Sequence, residues 1–148
     1  MENTTAKISA KEVRKALVDY DNYAILSAYS QDEGLAGNAV RTKHLVRALE
    51  QAAYRCTIGV YADSGLRLEC LFVLGIPLEA LFEFALKFGQ HAVVHEGVLF
   101  ERNKKHEVGP HPYHQAAPVG ELTIFGKDAP KPEGAYTDVA GVRFALAY

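Results

Sequence analysis

From Tyr23 to Glu101 the apolar residues change period in a set succession, and that succession limits the fold more than any other property of the chain. Tyr23 to Tyr29 is nearly continuously apolar, as in a strand covered on both faces. Asn38 to Ala53 then places Leu45, Leu49 and Ala52 at helical spacing. Arg55 to Tyr61 and Arg67 to Leu74 read as two strands joined by the turn Ala62-Asp63-Ser64-Gly65. Pro77 suits the first turn of a helix running to Phe88, and Gly89 is its stop. Gln90 to Val94 is a fourth strand, with a short fifth from Val98 to Glu101 after the Glu96-Gly97 turn. Strand, helix, strand, strand, helix, strand is the order of a split βαβ unit. The expected fold is therefore α+β with a ferredoxin-like βαββαβ core.

Two flanking segments extend this core. Ser9 has Glu12 three residues on, the capping-box spacing, so a helix is expected through Asp19 with Val13, Ala16 and Leu17 on its buried side. After Arg102, prolines at 110, 112, 118, 130 and 132 punctuate the chain. Glu121 to Phe125 and Val139 to Leu146 read as further strands, paired with each other or added at a sheet edge. A chain of 148 residues is of single-domain size, so residues 1–148 are expected to form one α+β domain. Its core spans 20–101, and 102–148 form an irregular extension rich in Pro and Gly.

Charge narrows the class of partner. The formal net charge is -2, and residues 1–74 carry nine basic and nine acidic side chains. With no basic excess to neutralise phosphates, nucleic acid is not the expected partner. The first twenty residues lack the apolar run of a secretory leader. The most apolar stretch, Leu66 to Phe88, is broken by Arg67, Glu69, Pro77, Glu79, Glu83 and Lys87, which argues against a membrane span. Cys56 and Cys70 each lie in an apolar segment and read as free structural thiols. A cytoplasmic protein is expected.

The split βαβ wiring would bring distant polar residues to one rim, where the first long helix begins. Ser27, Tyr29, Asn38, Arg41, Glu69, Gln90 and His91 are expected there. Glu69 stands out, because a carboxylate between Leu68 and Cys70 in an interior strand needs a partner. Arg41, whose planar fork suits a carboxylate, is the expected one. The pair would tie helix to sheet or, with Ser27, Tyr29, Asn38 and Gln90, line a pocket for a small polar ligand. The helix N-terminus at the same rim would favour an anionic group on that ligand.

Other motifs carry less. Leu26-Ser27-Ala28-Tyr29 is not a nucleophile elbow, and a triad at Ser27 would have only His91 as base. His106, His111 and His114 are candidate metal ligands, but their spacing matches no zinc signature and they read as loop histidines. Gly34-Leu35-Ala36-Gly37-Asn38 sits where a phosphate loop would, yet matches neither nucleotide-binding pattern. No cofactor is expected.

Ile25-Leu26-Ser27-Ala28-Tyr29, Asn38, Glu69 before Leu71-Phe72-Val73-Leu74-Gly75, and Phe88-Gly89-Gln90-His91-Ala92 together resemble a family of small bacterial and phage proteins. That family is known only as a domain of unknown function. Its pattern is T-A-x-N-P closing the first strand, an asparagine opening the next helix, a glutamate before the apolar strand, and F-G-Q-x-A opening a later strand. The likeness covers residues 23–101, and this chain has Ser30-Gln31 where the family has Asn-Pro. The resemblance implies no reaction, but it converges on the same rim.

Three functions fit this reading. The first is a binding module that recognises a small polar ligand or a protein partner through Ser27, Tyr29, Asn38, Arg41, Glu69 and Gln90. The second is an enzyme with Glu69 or His91 as proton-transfer group and Arg41 as anion clamp. The third is a phage-encoded adaptor or inhibitor acting through the C-terminal extension. An uncovered edge strand would also allow a homodimer.

Overall fold

The computed structural model describes residues 7–104, 109, 111–126, 128–130, 132 and 134–148. The chain runs α1 (Ala10–Asp19), β1 (Tyr23–Leu26), α2 (Leu35–Gln51), β2 (Arg55–Asp63), β3 (Leu66–Leu74), α3 (Leu78–Lys87), β4 (Ala92–His95), β5 (Val98–Arg102), β6 (Tyr113–Pro118), β7 (Glu121–Ile124), β8 (Tyr136–Val139) and β9 (Val142–Ala147). All strands join one antiparallel sheet in the order β6-β5-β4-β1-β3-β2-β8-β9-β7.

The ferredoxin-like expectation is overturned by this sheet. The chain is α+β, but its sheet is a curled, nine-stranded half-barrel rather than a split βαβ core carrying accessory strands. Connectivity forces the curl. β6 and β7 occupy opposite edges of the sheet, yet only Val119 and Gly120 join them. Three Cα steps reach at most about 11 Å, whereas a flat sheet of this width would separate its edges by about 38 Å. The edges therefore meet at one corner. There Val119 N–H donates to Gly97 O and Gly120 N–H to Ala147 O, both at 2.7 Å.

Curling gives the sheet two cores. Inside the curl, Val13, Ala16 and Leu17 of α1 pack with Tyr23, Phe72, Val94, Val139, Val142 and Phe144, and with Leu99 and Leu122 from strands near the two edges. On the outer face, Leu45 and Leu49 of α2 and Leu81, Phe82 and Ala85 of α3 cover Ala24, Leu26, Leu71, Val73 and Val93. β1 is thus buried on both sides, which accounts for its unbroken apolar run.

Several boundaries move for local reasons. β6 lies within the proline-punctuated segment, with Pro112 before it and Pro118 at its last position, where the missing N–H leaves the ladder intact. The single strand expected over Val139–Leu146 is two, β8 and β9, folded back at Ala140-Gly141 with φ of 51° and 83°. The first long helix begins at Leu35, three residues before Asn38, with Gly34 as its N-cap.

α1 is fastened at its start. Ser9 and Glu12 form the expected capping box. Arg55 of β2 grips the Glu12 carboxylate from two nitrogens, at 2.6 and 3.0 Å. That guanidinium, followed by the Ser9 backbone N–H, lowers the Glu12 pKa to about 2. A carboxyl whose folded pKa lies below its unfolded value stabilises the fold above the unfolded pKa and stops doing so as pH falls through the folded one. Wild-type stability should therefore fall as pH drops from 4.5 towards 2, and Glu12→Gln should flatten that part of a urea-midpoint profile.

β2 and β8 approach closely at Gly59, which pairs with Val139. A Cβ there would lie 2.5 Å from Val139 Cγ2 and 2.6 Å from the Asp138 carbonyl oxygen. Backbone cannot yield as a side-chain tip can. Gly59→Ala should cost about 2 kcal/mol in urea unfolding.

Candidate functional site

β1 ends at Leu26, and the chain then turns through Ser27 to Gly34 into α2. Its backbone carbonyls and amides need partners, and the polar residues expected at the rim supply them. Ser27 Oγ donates to Glu69 O at 2.8 Å and accepts from Tyr29 N–H at 3.0 Å. Asn38 lies inside the helix and reaches back, its Oδ1 accepting from Ser30 N–H at 2.8 Å. Its Nδ2 donates to Ser30 O at 3.1 Å and Glu33 O at 3.2 Å.

Arg41 departs most from expectation. Nε donates to Ala28 O at 2.5 Å and Nη2 to Phe88 O at 2.6 Å, joining the exit of β1 to the end of α3. Gln90, which is 8% exposed, donates from Nε2 to Phe88 O at 2.9 Å and Tyr29 O at 3.2 Å. Tyr113 Oη in turn donates to Gln90 O at 2.5 Å, extending the latch to β6. These residues do meet at one place, but they are committed to the backbone.

The Arg41–Glu69 pair is therefore corrected. Arg41 is occupied by carbonyls, and the Glu69 carboxylate is exposed, with no hydrogen bond or ion pair among the described residues. The penalty that demanded a partner does not arise, because β3 is buried only from Cys70 onward and Glu69 lies on its solvent-facing half. Near the start of α2, Glu33 Oε1 lies 2.5 Å from where a Gly37 Cβ would stand.

Beside this latch lies an open cleft of about 330 Å³ between the start of α2 and the outer half of the β2–β3 hairpin. Leu35, Ala39 and Val60 give it apolar side chains, Tyr29, Asn38, Thr42, Arg67 and Glu69 also line it, and Leu68, whose side chain projects from the other face of β3, completes the lining. Leu35 is 91% exposed. Of the six residues expected to bind ligand, Tyr29, Asn38 and Glu69 line the cleft, whereas Ser27, Arg41 and Gln90 do not. His91 is exposed in the α3–β4 turn and is not part of the lining. Leu35, Ala39, Val60 and Arg67 were not legible as site residues. The alternation of Arg67 and Glu69 along β3 was the one available signal.

Two of the candidate metal ligands make packing or hydrogen-bond contacts. His111 packs against Phe82 with ring centroids 5.4 Å apart, and His114 Nδ1 lies 2.8 Å from Asn103 Oδ1. His106 lies outside the described residues. No group of three or more His, Cys, Asp or Glu able to hold a metal occurs among the described residues. Cys56 and Cys70 are free thiols, pushed up by burial to about 11 and about 12. No helix among the described residues is long and apolar enough to cross a membrane. No family model matches the chain, and no curated protein matches it.

The two roles separate by mutation. Arg41→Met strips the part-buried Ala28 carbonyl of its Arg41 donor, leaves the Phe88 carbonyl with Gln90 alone, and should cost about 2 kcal/mol. Glu69→Gln, at an exposed position without a hydrogen-bond or ion-pair partner among the described residues, should change stability by less than about 0.5 kcal/mol. Chemical denaturation of both variants checks this.

Proposed function

We propose that the chain is a binding module whose site is the cleft between the start of α2 and the β2–β3 hairpin. The observation that carries this reading is Leu35, an almost fully exposed leucine at a cleft that Ala39 and Val60 also line. Exposed apolar surface arranged around a concavity marks a place where something else is buried. The ligand is therefore amphiphilic rather than simply polar: an apolar group enters the slot, and polar groups meet Arg67 and Glu69 at its side. A volume of about 330 Å³ is at the small end of ligand sites, which favours a small molecule over a large cofactor.

Acid–base catalysis at Glu69 or His91 draws no comparable support. Its anion clamp, Arg41, is occupied, and His91 stands apart from the cleft.

Filling the cleft tests the proposal. Ala39 is exposed on α2, so Ala39→Trp should leave the fold intact and place an indole in the slot. The neutral fluorophore N-phenyl-1-naphthylamine should brighten with wild type and lose at least about nine-tenths of that signal with the variant. Equal brightening by both proteins would overturn the reading.

A further inference from the structure

We infer that the cleft takes a free α-amino acid with an apolar side chain, its ammonium on Glu69 and its carboxylate on Arg67. This rests on the binding-module reading above and names the ligand class.

Arg67 and Glu69 are two residues apart on β3, so both project from the same face of the strand, and both line the cleft. Neither is spent on the other, since no ion pair joins them among the described residues. Arg67 is steadied instead by Tyr136, with Nη1 donating to Oη at 3.4 Å. The Tyr136 ring lies under the Arg143 guanidinium, 5.3 Å from its centroid. Among the described residues that bond leaves Arg67 further N–H donors, and none takes up the acceptor capacity of the Glu69 carboxylate.

The two charges together select against singly charged ligands. A simple anion attracted to Arg67 also meets Glu69, and a simple cation attracted to Glu69 also meets Arg67. A molecule with an ammonium and a carboxylate on one carbon satisfies both, and its side chain then has Leu35, Ala39 and Val60 to contact. An aliphatic or aromatic amino acid fits a slot of this size and polarity.

Amide-resolved NMR titration of the whole chain with L-leucine, N-acetyl-L-leucine, L-leucinamide and N-acetyl-L-leucinamide tests the proposal. L-Leucine should shift the Ala39, Val60 and Leu68 amides and bind at least about fivefold more tightly than each blocked form. Glu69→Gln, which alters an exposed side chain, should remove the advantage over N-acetyl-L-leucine. If all four compounds bind the cleft equally, the amino-acid assignment is overturned and the cleft reading stands. The same holds if none binds while N-phenyl-1-naphthylamine still does. If neither the amino-acid series nor the fluorophore reaches the cleft, both readings fall.

Discussion

The guanidinium of Arg41 holds together the end of the molecule where function is to be sought. One side chain on α2 donates to a carbonyl at the exit of β1 and to another at the end of α3. Gln90 and Tyr113 carry the same latch on to β6. Without these donors, part-buried carbonyls on separate elements would lose both water and partner. The latch also decides which charged groups remain available. With Arg41 turned inward, Glu69 is left facing the cleft.

The curl of the sheet places that cleft. Because β6 and β7 are joined by only two residues, the strands must wrap, and α1 packs its Val13, Ala16 and Leu17 side against the inner face while its other side stays exposed. α2 and α3 then cover the outer face over β1, β3 and β4, packing on Ala24, Leu26, Leu71, Val73 and Val93. Toward the hairpin end of β2 and β3 burial fades, with Leu66, Arg67 and Glu69 all exposed. The cleft lies where helix cover ends and the sheet continues. Its apolar wall and its charged side therefore follow from the same geometry.

Much of the fold was legible in local pattern. The capping box at Ser9 and Glu12, the helical stripe through Leu45 and Leu49, and the β2–β3 turn all lie where apolar spacing and turn chemistry put them. The overall architecture was not legible. A split βαβ order says nothing of how far a sheet continues, and the prolines flanking β6 disguised the strand that brings the two edges to one corner. The rim was legible as a meeting place, since Ser27, Asn38, Arg41 and Gln90 do cluster about the exit of β1. Their role was not, because a backbone carbonyl competes for a guanidinium as well as a carboxylate does, and carbonyls leave no mark in sequence. Leu35 was hidden for a related reason: between Gly34 and Gly37 it read as loop, although Gly34 is the helix cap.

The central claim is that Arg41 is bonded to carbonyls and Glu69 is free of it. The Nε–H resonance of Arg41, followed by ¹⁵N-resolved NMR in wild type and in Glu69→Gln, tests this most directly. The account requires a slowly exchanging Arg41 Nε–H whose position is the same in both proteins. A resonance that moves markedly, or that exchanges rapidly once the carboxylate is removed, would show that the two side chains are partners and contradict the assignment of latch and site.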